Sequence, residues 1–325
     1  MDNLLEVKDL NMHFPILGGV FKRPVGHVYA VNDVSFTLKK GETFGVVGES
    51  GCGKSTLGRT IVRLYDPTSG SVSYNGQDIA KLNGARLKEF RRHIQMVFQD
   101  PYASLNPRMT IKDILLEPLT LHRVGTAQER LDKVKRLVKT VGLRIADMNK
   151  FPHEFSGGQR QRIGIARALT LEPSIIVCDE AVSALDVSIQ SQVLNLLNKL
   201  QQDLELTYIF ISHDLTVVKY ISDRVAVMYL GRIVEMADAD VIYEQPQHPY
   251  TKALLSSVPV PDPSKRGEYE PLQGDVPSPS NPPSGCAFHT RCKYATERCV
   301  REKPQLKEWS AGTSKNSHKV ACHLV

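Results

Sequence analysis

Residues 48–56 read GESGCGKST, which meets the pattern G-x-x-x-x-G-K-[ST] of loops that cradle phosphate groups. The apolar run ETFGVVG at 42–48 precedes this loop and predicts a buried strand, while TLGRTIVRLYD at 56–66 has the apolar spacing of a helix. A strand, a glycine turn and a helix present backbone N–H groups and a positive dipole end to phosphate. The chain is therefore predicted to bind a nucleoside triphosphate.

Individual roles within the loop follow from its chemistry. Lys54 is expected to reach the β- and γ-phosphates, and the Ser55 hydroxyl to ligate Mg²⁺. The residues predicted to surround the nucleotide here are Gly48, Glu49, Ser50, Gly51, Cys52, Gly53, Lys54, Ser55 and Thr56.

A second apolar run, IIVCDE at 175–180, ends in two acids. A buried parallel strand tolerates apolar residues on both faces, and open α/β sheets bind ligands at the carboxyl ends of their strands. Asp179 is expected to hold Mg²⁺ through water, and Glu180 to polarise the attacking water. Acids after a strand also serve as helix caps, but their occurrence in a chain with a phosphate loop favours the catalytic interpretation.

The stretch FSGGQRQRIGIARAL at 155–169 resembles the signature motif of ABC ATPases, with Phe155 where many members carry Leu. Bare N–H groups at the start of a helix attract phosphate. The resemblance implies that this helix start faces the γ-phosphate bound to a partner subunit, so that two chains sandwich two nucleotides. The residues assigned to this contact are Ser156, Gly157, Gly158 and Gln159.

Three further polar residues match the motifs of that family in the same order: Gln99 in VFQDP, Asp186 in SALD and His213 in FISHD. By resemblance, Gln99 senses Mg²⁺ and the attacking water and links the site to membrane subunits. Asp186 crosses the dimer interface, and His213 contacts the γ-phosphate. A lone His after an apolar strand is more often structural, but its position in this series favours function.

The adenine contact has two candidates, because the family stacks the base on an aromatic ring after the first strand. Phe14 closes LLEVKDLNMHF, whereas Tyr29 begins YAVNDVSF after the inserted segment ILGGVFKRPVG. Stacking of a base on an aromatic ring contributes about 1–3 kcal/mol in nucleic-acid binders, and either ring could supply such a contact. Both residues also fit a hairpin or core position, and the sequence does not choose between them.

The periodicity predicts an α/β fold with a doubly wound sheet over residues 1–245, and the resemblance implies that this is a P-loop ABC ATPase core. Residues from about 104 to 169 are helical in pattern and form an inserted subdomain expected to touch membrane partners. The chain of 325 residues has no apolar run of about 18 residues and no signal-like start. Its net charge of +6 is spread along the chain, which disfavours nucleic acid as a partner.

Residues 246–325 form a proline- and cysteine-rich C-terminal extension. Its start, QPQHPYTKALLSSVPVPDP at 245–263, resembles the extension of ATPase subunits of oligopeptide and dipeptide ABC importers, as do VFQDPYASLNPR and SALDVSIQSQVLNLL. The resemblance implies an ATP- and Mg²⁺-dependent ATPase at the cytoplasmic face of the membrane. Its implied partners are a second ATPase subunit, identical or paralogous, two transmembrane permeases and an extracytoplasmic peptide-binding protein. Ala181 departs from the family, which usually has Pro there.

Four of the six cysteines lie in this extension, spaced C-x5-C-x6-C-x22-C: Cys286, Cys292, Cys299 and Cys322. An expected cytosolic location disfavours disulfides, and four thiolates can bind zinc or an iron–sulfur cluster. The resemblance to peptide importers, some of which carry a 4Fe-4S cluster in this tail, favours iron–sulfur, with zinc or free thiols as alternatives. His289 and His323 are further candidate ligands, whereas Cys52 and Cys178 are interpreted as small apolar residues.

Two other function classes stay open on these patterns. A soluble ABC ATPase acting on DNA or ribosomes usually carries paired cassettes or long coiled-coil insertions, and this chain shows one glycine loop. A regulatory protein in which a metal group is primary would not require Glu180, His213 and Gln99. The favoured prediction is the motor subunit of a membrane importer.

Overall fold

The computed structural model describes residues 3–258, 272, 274–309 and 317–325. The proline-rich stretch 259–271, expected to be extended, lies outside the described residues. In chain order the strands are β1 (Asn3–Gly18), β2 (Arg23–Lys39), β3 (Thr43–Val47), β4 (Ser69–Tyr74), β5 (Gln77–Asp78), β6 (Ile94–Val97), β7 (Ile175–Asp179), β8 (Thr207–Ile211), β9 (Arg224–Tyr229), β10 (Arg232–Asp238), β11 (Lys307–Glu308) and β12 (Lys319–Val320).

The helices are α1 (Lys54–Ile61), α2 (Gly84–His93), α3 (Ile111–Leu121), α4 (Ala127–Thr140), α5 (Gly157–Leu169), α6 (Val187–Leu204), α7 (Leu215–Ile221), α8 (Ala239–Glu244), α9 (Pro249–Ser256) and α10 (Glu297–Arg301). Short 3₁₀ turns occupy Ile145–Asn149, Pro152–Glu154 and His289–Arg291. Among the described residues, none of the helices combines the length and apolarity that crossing a membrane requires.

The chain divides into two compact units. The first comprises Met1–Lys39, Thr43–Lys81 and Ile211–Val325, and the second comprises Lys40–Glu42 and Leu82–Phe210. The second unit is longer than the helical stretch predicted over 104–169, because α2, β6, β7 and α6 belong to it as well.

The first unit contains an antiparallel sheet in the order β2-β1-β4-β5. The inserted segment ILGGVFKRPVG forms the end of the β1–β2 hairpin, where Val20 and Phe21 are almost fully exposed. A further set of strands runs in the order β11-β12-β10-β9-β3, in which β3 and β9 are parallel. All five residues of β3 are buried, in agreement with the buried strand predicted over 42–48.

The second unit places its strands in the order β8-β7-β6, with β6 parallel to β7. Helices α3, α4 and α5 pack on one another, and α5 also packs on α6. Helix α4 begins with a capping box of Thr126 and Glu129, and it buries Val134 and Val138, which lie four residues apart on one face. The helical pattern between 104 and 169 is thus observed as helices.

Candidate functional site

The predicted phosphate loop connects β3 to α1 in the first unit. Gly48 and Gly53 have φ angles of 154° and 104°. A Cβ atom on Gly48 would lie 2.1 Å from the Met228 carbonyl oxygen, and one on Gly53 would lie 2.0 Å from the Ala30 carbonyl oxygen. Both positions require glycine, because the loop is packed directly against neighbouring backbone.

Lys54 is the first residue of α1, and its side chain is almost completely buried. Its ammonium group donates to the carbonyl oxygens of Gly48 and Glu49, at 2.7 and 3.0 Å. The ammonium therefore lies folded over the loop that the sequence assigns to phosphate. Among the described residues, no acid stands in the first turn of α1 and no side chain caps it, so the positive end of the helix favours an anion.

The other loop side chains differ in exposure. Ser50 is exposed, and Ser55 and Thr56 are half-buried at the start of α1. Cys52 is buried, with its sulfur 3.8 Å from the Lys54 ammonium. Burial raises the pKa of the Cys52 thiol even though Lys54 acts in the opposite direction. A neutral Cys52 agrees with its interpretation as a small packing residue.

Glu49 contacts two residues that the sequence patterns did not single out. Its backbone N–H donates to the Tyr250 hydroxyl at 2.9 Å. Its carboxylate accepts two hydrogen bonds from the Arg291 guanidinium, at 2.7 and 3.1 Å. Because these partners lie 201 and 242 residues further along the chain, no local pattern could have revealed them.

The two adenine candidates occupy neighbouring positions of the β1–β2 hairpin on opposite faces. Phe14 pairs with Val28 and Tyr29 with His13 across the ladder, and side chains alternate along a strand. The Phe14 ring packs edge-on against Tyr65 at 5.2 Å. Tyr29 directly precedes Ala30, the residue whose carbonyl oxygen contacts the phosphate loop at Gly53.

In the second unit, Asp179 is the last residue of β7 and is fully buried. Glu180 follows it with a φ of 48° and is half-buried. The Gln99 amide donates to the Glu180 carboxylate at 2.7 Å. This contact arises because β6 and β7 are parallel neighbours, with Val97 opposite Cys178, so the residues after both strands meet at one edge. The structure thus brings two predicted catalytic residues into direct contact.

The signature residues begin helix α5. Ser156 caps the helix and forms a reciprocal capping box with Gln159, with N–O distances of 3.0 and 3.4 Å. A Cβ atom on Gly158 would lie 2.3 Å from the Ile189 Cγ2 atom of α6, whereas one on Gly157 would meet only Leu185 at 3.5 Å. Ser156, Gly157 and Gln159 are exposed. The helix start is therefore accessible, and Gly158 has a packing role as well.

Asp186 and His213 lie at helix starts in different units. Asp186 caps α6 by accepting from the Ile189 N–H at 3.0 Å, and it is exposed. His213 is exposed two residues after β8, and its neighbour Asp214 caps α7. Ala181, where related sequences usually have Pro, is buried directly after Glu180.

Cys286 of the extension is influenced electrostatically by the other three cysteines. Burial raises the pKa of Cys286 to about 11, and the charges of Cys299, Cys322 and Cys292 add to this shift. Within the described ranges, however, no group of three or more His, Cys, Asp or Glu side chains is arranged to hold a metal ion.

The remaining ligand candidates have other contacts. His289 Nδ1 lies 2.8 Å from the Cys286 carbonyl oxygen, and His323 Nε2 lies 2.8 Å from the Glu302 carbonyl oxygen. Burial raises the pKa of Cys178 to about 12 on strand β7, in agreement with a packing role.

Sequence comparison finds two family profiles in the chain. "ABC transporter" matches residues 31–183, and "Oligopeptide/dipeptide transporter, C-terminal region" matches residues 234–299. The "Oligopeptide transport ATP-binding protein AppF" of Bacillus subtilis (strain 168) is 56% identical over 328 aligned residues, which cover 99% of this chain and 98% of the relative.

Solved structures with the same fold include the "Dimeric structure of a post-hydrolysis state of the ATP-binding cassette MJ0796 bound to ADP and Pi". It has a TM-score of 0.64 and 29% identity, and the match covers 72% of this chain and 98% of that one. The structure of cbiO1 from Clostridium perfringens, "Part of the ABC transporter complex cbiONQ", has a TM-score of 0.64 and 27% identity, and the match covers 76% of this chain and 93% of that one. These similarities confirm the predicted P-loop α/β fold class.

Proposed function

Since the chain belongs to the ATP-binding subunits of oligopeptide ABC transporters, we propose that it is the motor of a membrane importer for oligopeptides or dipeptides. The chain hydrolyses ATP, as this family of cassettes does. The proposal for peptide cargo is supported above all by the 56% identity to AppF over almost the entire length of both chains. The C-terminal profile adds support, because it covers the part of the chain outside the ATPase core.

The proposed chemistry is divided among the residues that the sequence motifs single out. Lys54 and the N–H groups of the phosphate loop bind the β- and γ-phosphates, and Ser55 ligates Mg²⁺. Asp179 would hold Mg²⁺ through water, and Gln99 would sense Mg²⁺ and the attacking water. Glu180 polarises the water that attacks the γ-phosphorus, and the hydrogen bond from Gln99 orients its carboxylate.

We infer that hydrolysis takes place in a head-to-tail dimer of cassettes. Ser156, Gly157 and Gln159 are exposed at the start of α5, where backbone N–H groups favour phosphate. Asp186 is exposed at the start of α6, and His213 completes the proposed γ-phosphate contacts. The similarity to a dimeric cassette structure supports this arrangement. The second cassette is either another copy of this chain or a paralogous subunit.

The proposed complex contains two transmembrane permeases and an extracytoplasmic peptide-binding protein, with this chain on the cytoplasmic face of the membrane. The helical segment 104–169 is the proposed contact with the permeases. The alternative function, a soluble ABC ATPase acting on DNA or ribosomes, is not favoured, because both the core and the extension match transporter subunits.

Purification from membranes tests the transport proposal. Tagged full-length chain should retain two permease chains and a second ATPase chain after mild detergent extraction, identified by mass spectrometry. The reconstituted complex should hydrolyse ATP faster when peptide and the binding protein are added. Recovery of the chain with ribosomes or DNA and without permeases would favour the alternative.

For the extension we propose that the four cysteines hold a metal group, with a 4Fe-4S cluster favoured over zinc. The proposal is supported by the chemistry of the donors, because four thiols can become four thiolate ligands and the charges of the other three cysteines reach Cys286. Protein purified without oxygen should then be brown and contain about four iron atoms per chain. Colourless protein with about one zinc per chain would support zinc, and metal-free protein would show that the thiols are free.

A further inference from the structure

We propose that Arg291 of the C-terminal extension is a positioning residue for ATP, because it neutralises and fixes Glu49 within the phosphate loop. This inference rests on the proposed role of residues 48–56 in binding ATP. It assigns to the extension a direct part in nucleotide binding, in addition to any metal group.

Glu49 is held in place through each of its polar groups. The carboxylate accepts two hydrogen bonds from Arg291, and the N–H donates to the Tyr250 hydroxyl. The carbonyl oxygen accepts from the ammonium of Lys54 and from the N–H of Cys52, at 3.0 and 3.3 Å. The second residue of the phosphate loop is thereby fixed by one residue of α9 and one residue of the 3₁₀ turn His289–Arg291.

The Arg291–Glu49 ion pair is well shielded from solvent. The Arg291 side chain is 4% exposed and that of Glu49 is 25% exposed. The guanidinium carbon lies 6.0 Å from the centre of the Tyr229 ring, and its hydrogen bonds to Glu49 raise the pKa of Arg291. A bidentate ion pair between arginine and a carboxylate has a defined geometry that a lysine ammonium group cannot reproduce.

An aromatic cluster anchors the extension next to the loop. The rings of Tyr229 and Tyr250 lie 4.7 Å apart, and Phe288 lies 5.3 Å from each of them. All three side chains are buried. Because Phe288 is only three residues before Arg291, packing of this cluster fixes the segment from which the guanidinium reaches Glu49.

Neutralisation of Glu49 matters because nucleotide phosphates carry several negative charges. An unpaired carboxylate in the phosphate loop would repel them, and it would also be free to move the backbone whose carbonyl oxygen contacts Lys54. The loop can therefore tolerate an acid at its second position because the extension supplies a buried cation.

The test measures ATP affinity and the kinetics of hydrolysis with the full-length chain. Arg291→Ala should raise the Kd and KM for ATP by about 10-fold, with kcat at saturating ATP within about twofold of wild type. Adding Glu49→Gln to Arg291→Ala should recover most of the affinity, because the repelling charge is removed. The loss of ATP affinity in Arg291→Ala should also become smaller as salt is added, since screening weakens charge repulsion.

Arg298→Ala is the matched control. Arg298 lies in the same extension and forms an ion pair with Glu302, but both side chains are exposed, so ATP affinity should stay at the wild-type value. Lys54→Ala distinguishes the two levels of inference. If Lys54→Ala loses ATP binding while Arg291→Ala keeps the wild-type ATP affinity, the role of Arg291 is overturned, but the role of the phosphate loop in binding ATP is not.

A structural role alone would give a different result. In that case Arg291→Ala would lower the melting temperature, and Glu49→Gln would fail to restore ATP affinity, which overturns the proposal. Should Arg291→Ala not fold, Arg291→Gln, which keeps a long side chain but has no charge, replaces it in the same comparison. An ATP affinity of Arg291→Gln equal to that of Arg298→Ala would then contradict the proposal.

Discussion

Glu180 owes its position to the residues around it. Its backbone has a φ of 48°, its carbonyl oxygen accepts hydrogen bonds from Ser183, and its carboxylate accepts one from Gln99. A non-glycine residue in the left-handed region is uncommon and is kept where the surroundings require it. The strand pattern predicts an acid at this sheet edge, but the contact with Gln99 depends on β6 being paired with β7.

Replacing Glu180 with Gln should lower the rate of ATP hydrolysis by at least about 100-fold, because the amide cannot polarise water as the carboxylate does. Binding of ATP should persist, and the ATP-bound dimer should accumulate. Phosphate release and size-exclusion chromatography with ATP measure the two effects. Glu172→Gln is the control, since Glu172 is an exposed partner of Lys133. Normal phosphate release by Glu180→Gln would remove this residue from catalysis.

The adenine contact can be assigned by comparing two single substitutions. The substitution that removes the stacking ring, Phe14→Ala or Tyr29→Ala, should weaken ATP binding by about 1–3 kcal/mol. Binding of inorganic triphosphate, which has no base, should stay unchanged. The position of Tyr29 beside Ala30, which contacts the phosphate loop, favours Tyr29. Calorimetric titration measures both affinities. Unchanged ATP affinity in both variants would rule out stacking by either ring.

At the scale of elements, helices α5 and α6 approach each other at Gly158. The sequence predicts that Gly157 and Gly158 form a helix start facing phosphate. In the structure, only Gly157 has room for a Cβ atom. The Cβ of an alanine at 158 would have to displace Ile189, whose Cγ2 atom lies 2.3 Å from its place.

Gly158→Ala should therefore destabilise the protein by about 1–3 kcal/mol, the usual cost of forcing an extra methyl group into a packed contact. Gly157→Ala is the matched control and should be neutral or slightly stabilising, because a helical glycine costs about 0.5–1 kcal/mol relative to alanine. Urea unfolding curves monitored by circular dichroism compare the two variants. Equal stabilities would contradict the close approach of α5 to Ile189.

At the scale of the whole molecule, a buried carboxylate ties the end of the chain to the ATPase core. Glu235 of β10 is fully buried and accepts hydrogen bonds from the N–H groups of Gln247 and His248 and from His318 Nε2. His318 directly precedes β12, which pairs with β10. One side chain thus links three segments that are remote in the sequence.

His248 makes this region sensitive to acid. Burial lowers its pKa to about 4, against the smaller opposing effect of the Glu235 carboxylate. The unfolded chain binds a proton at this residue below about pH 6.5, whereas the folded chain does so only below about pH 4. The free energy of unfolding should therefore fall as the pH is lowered from about 6.5 to 4, and His248 should account for about 3 kcal/mol of this decrease.

His248→Asn should flatten that part of the stability profile, because asparagine does not titrate and can still cap α9, as the His248 ring does by accepting from the Tyr250 N–H. Melting temperatures of wild type and variant between pH 7 and pH 4 provide the measurement. Parallel profiles would show that His248 is not the residue that titrates.

The sequence by itself determined those features that depend on residues close together in the chain. These include the glycine loop between a buried strand and a helix, the helices between 104 and 169, and the helix start at residues 156–159, because strand and helix periods are local. The four cysteines were also visible, although their spacing left the nature of any metal group open.

Only the tertiary structure decided which remote residues meet. The contacts of Glu49 with Tyr250 and Arg291, of Glu235 with His318, and of Gln99 with Glu180 join residues 81 to 242 positions apart. Such pairs form because strand order and packing carry distant segments to one place, and a buried charge is stable only where that packing supplies its partner. No local periodicity contains this information.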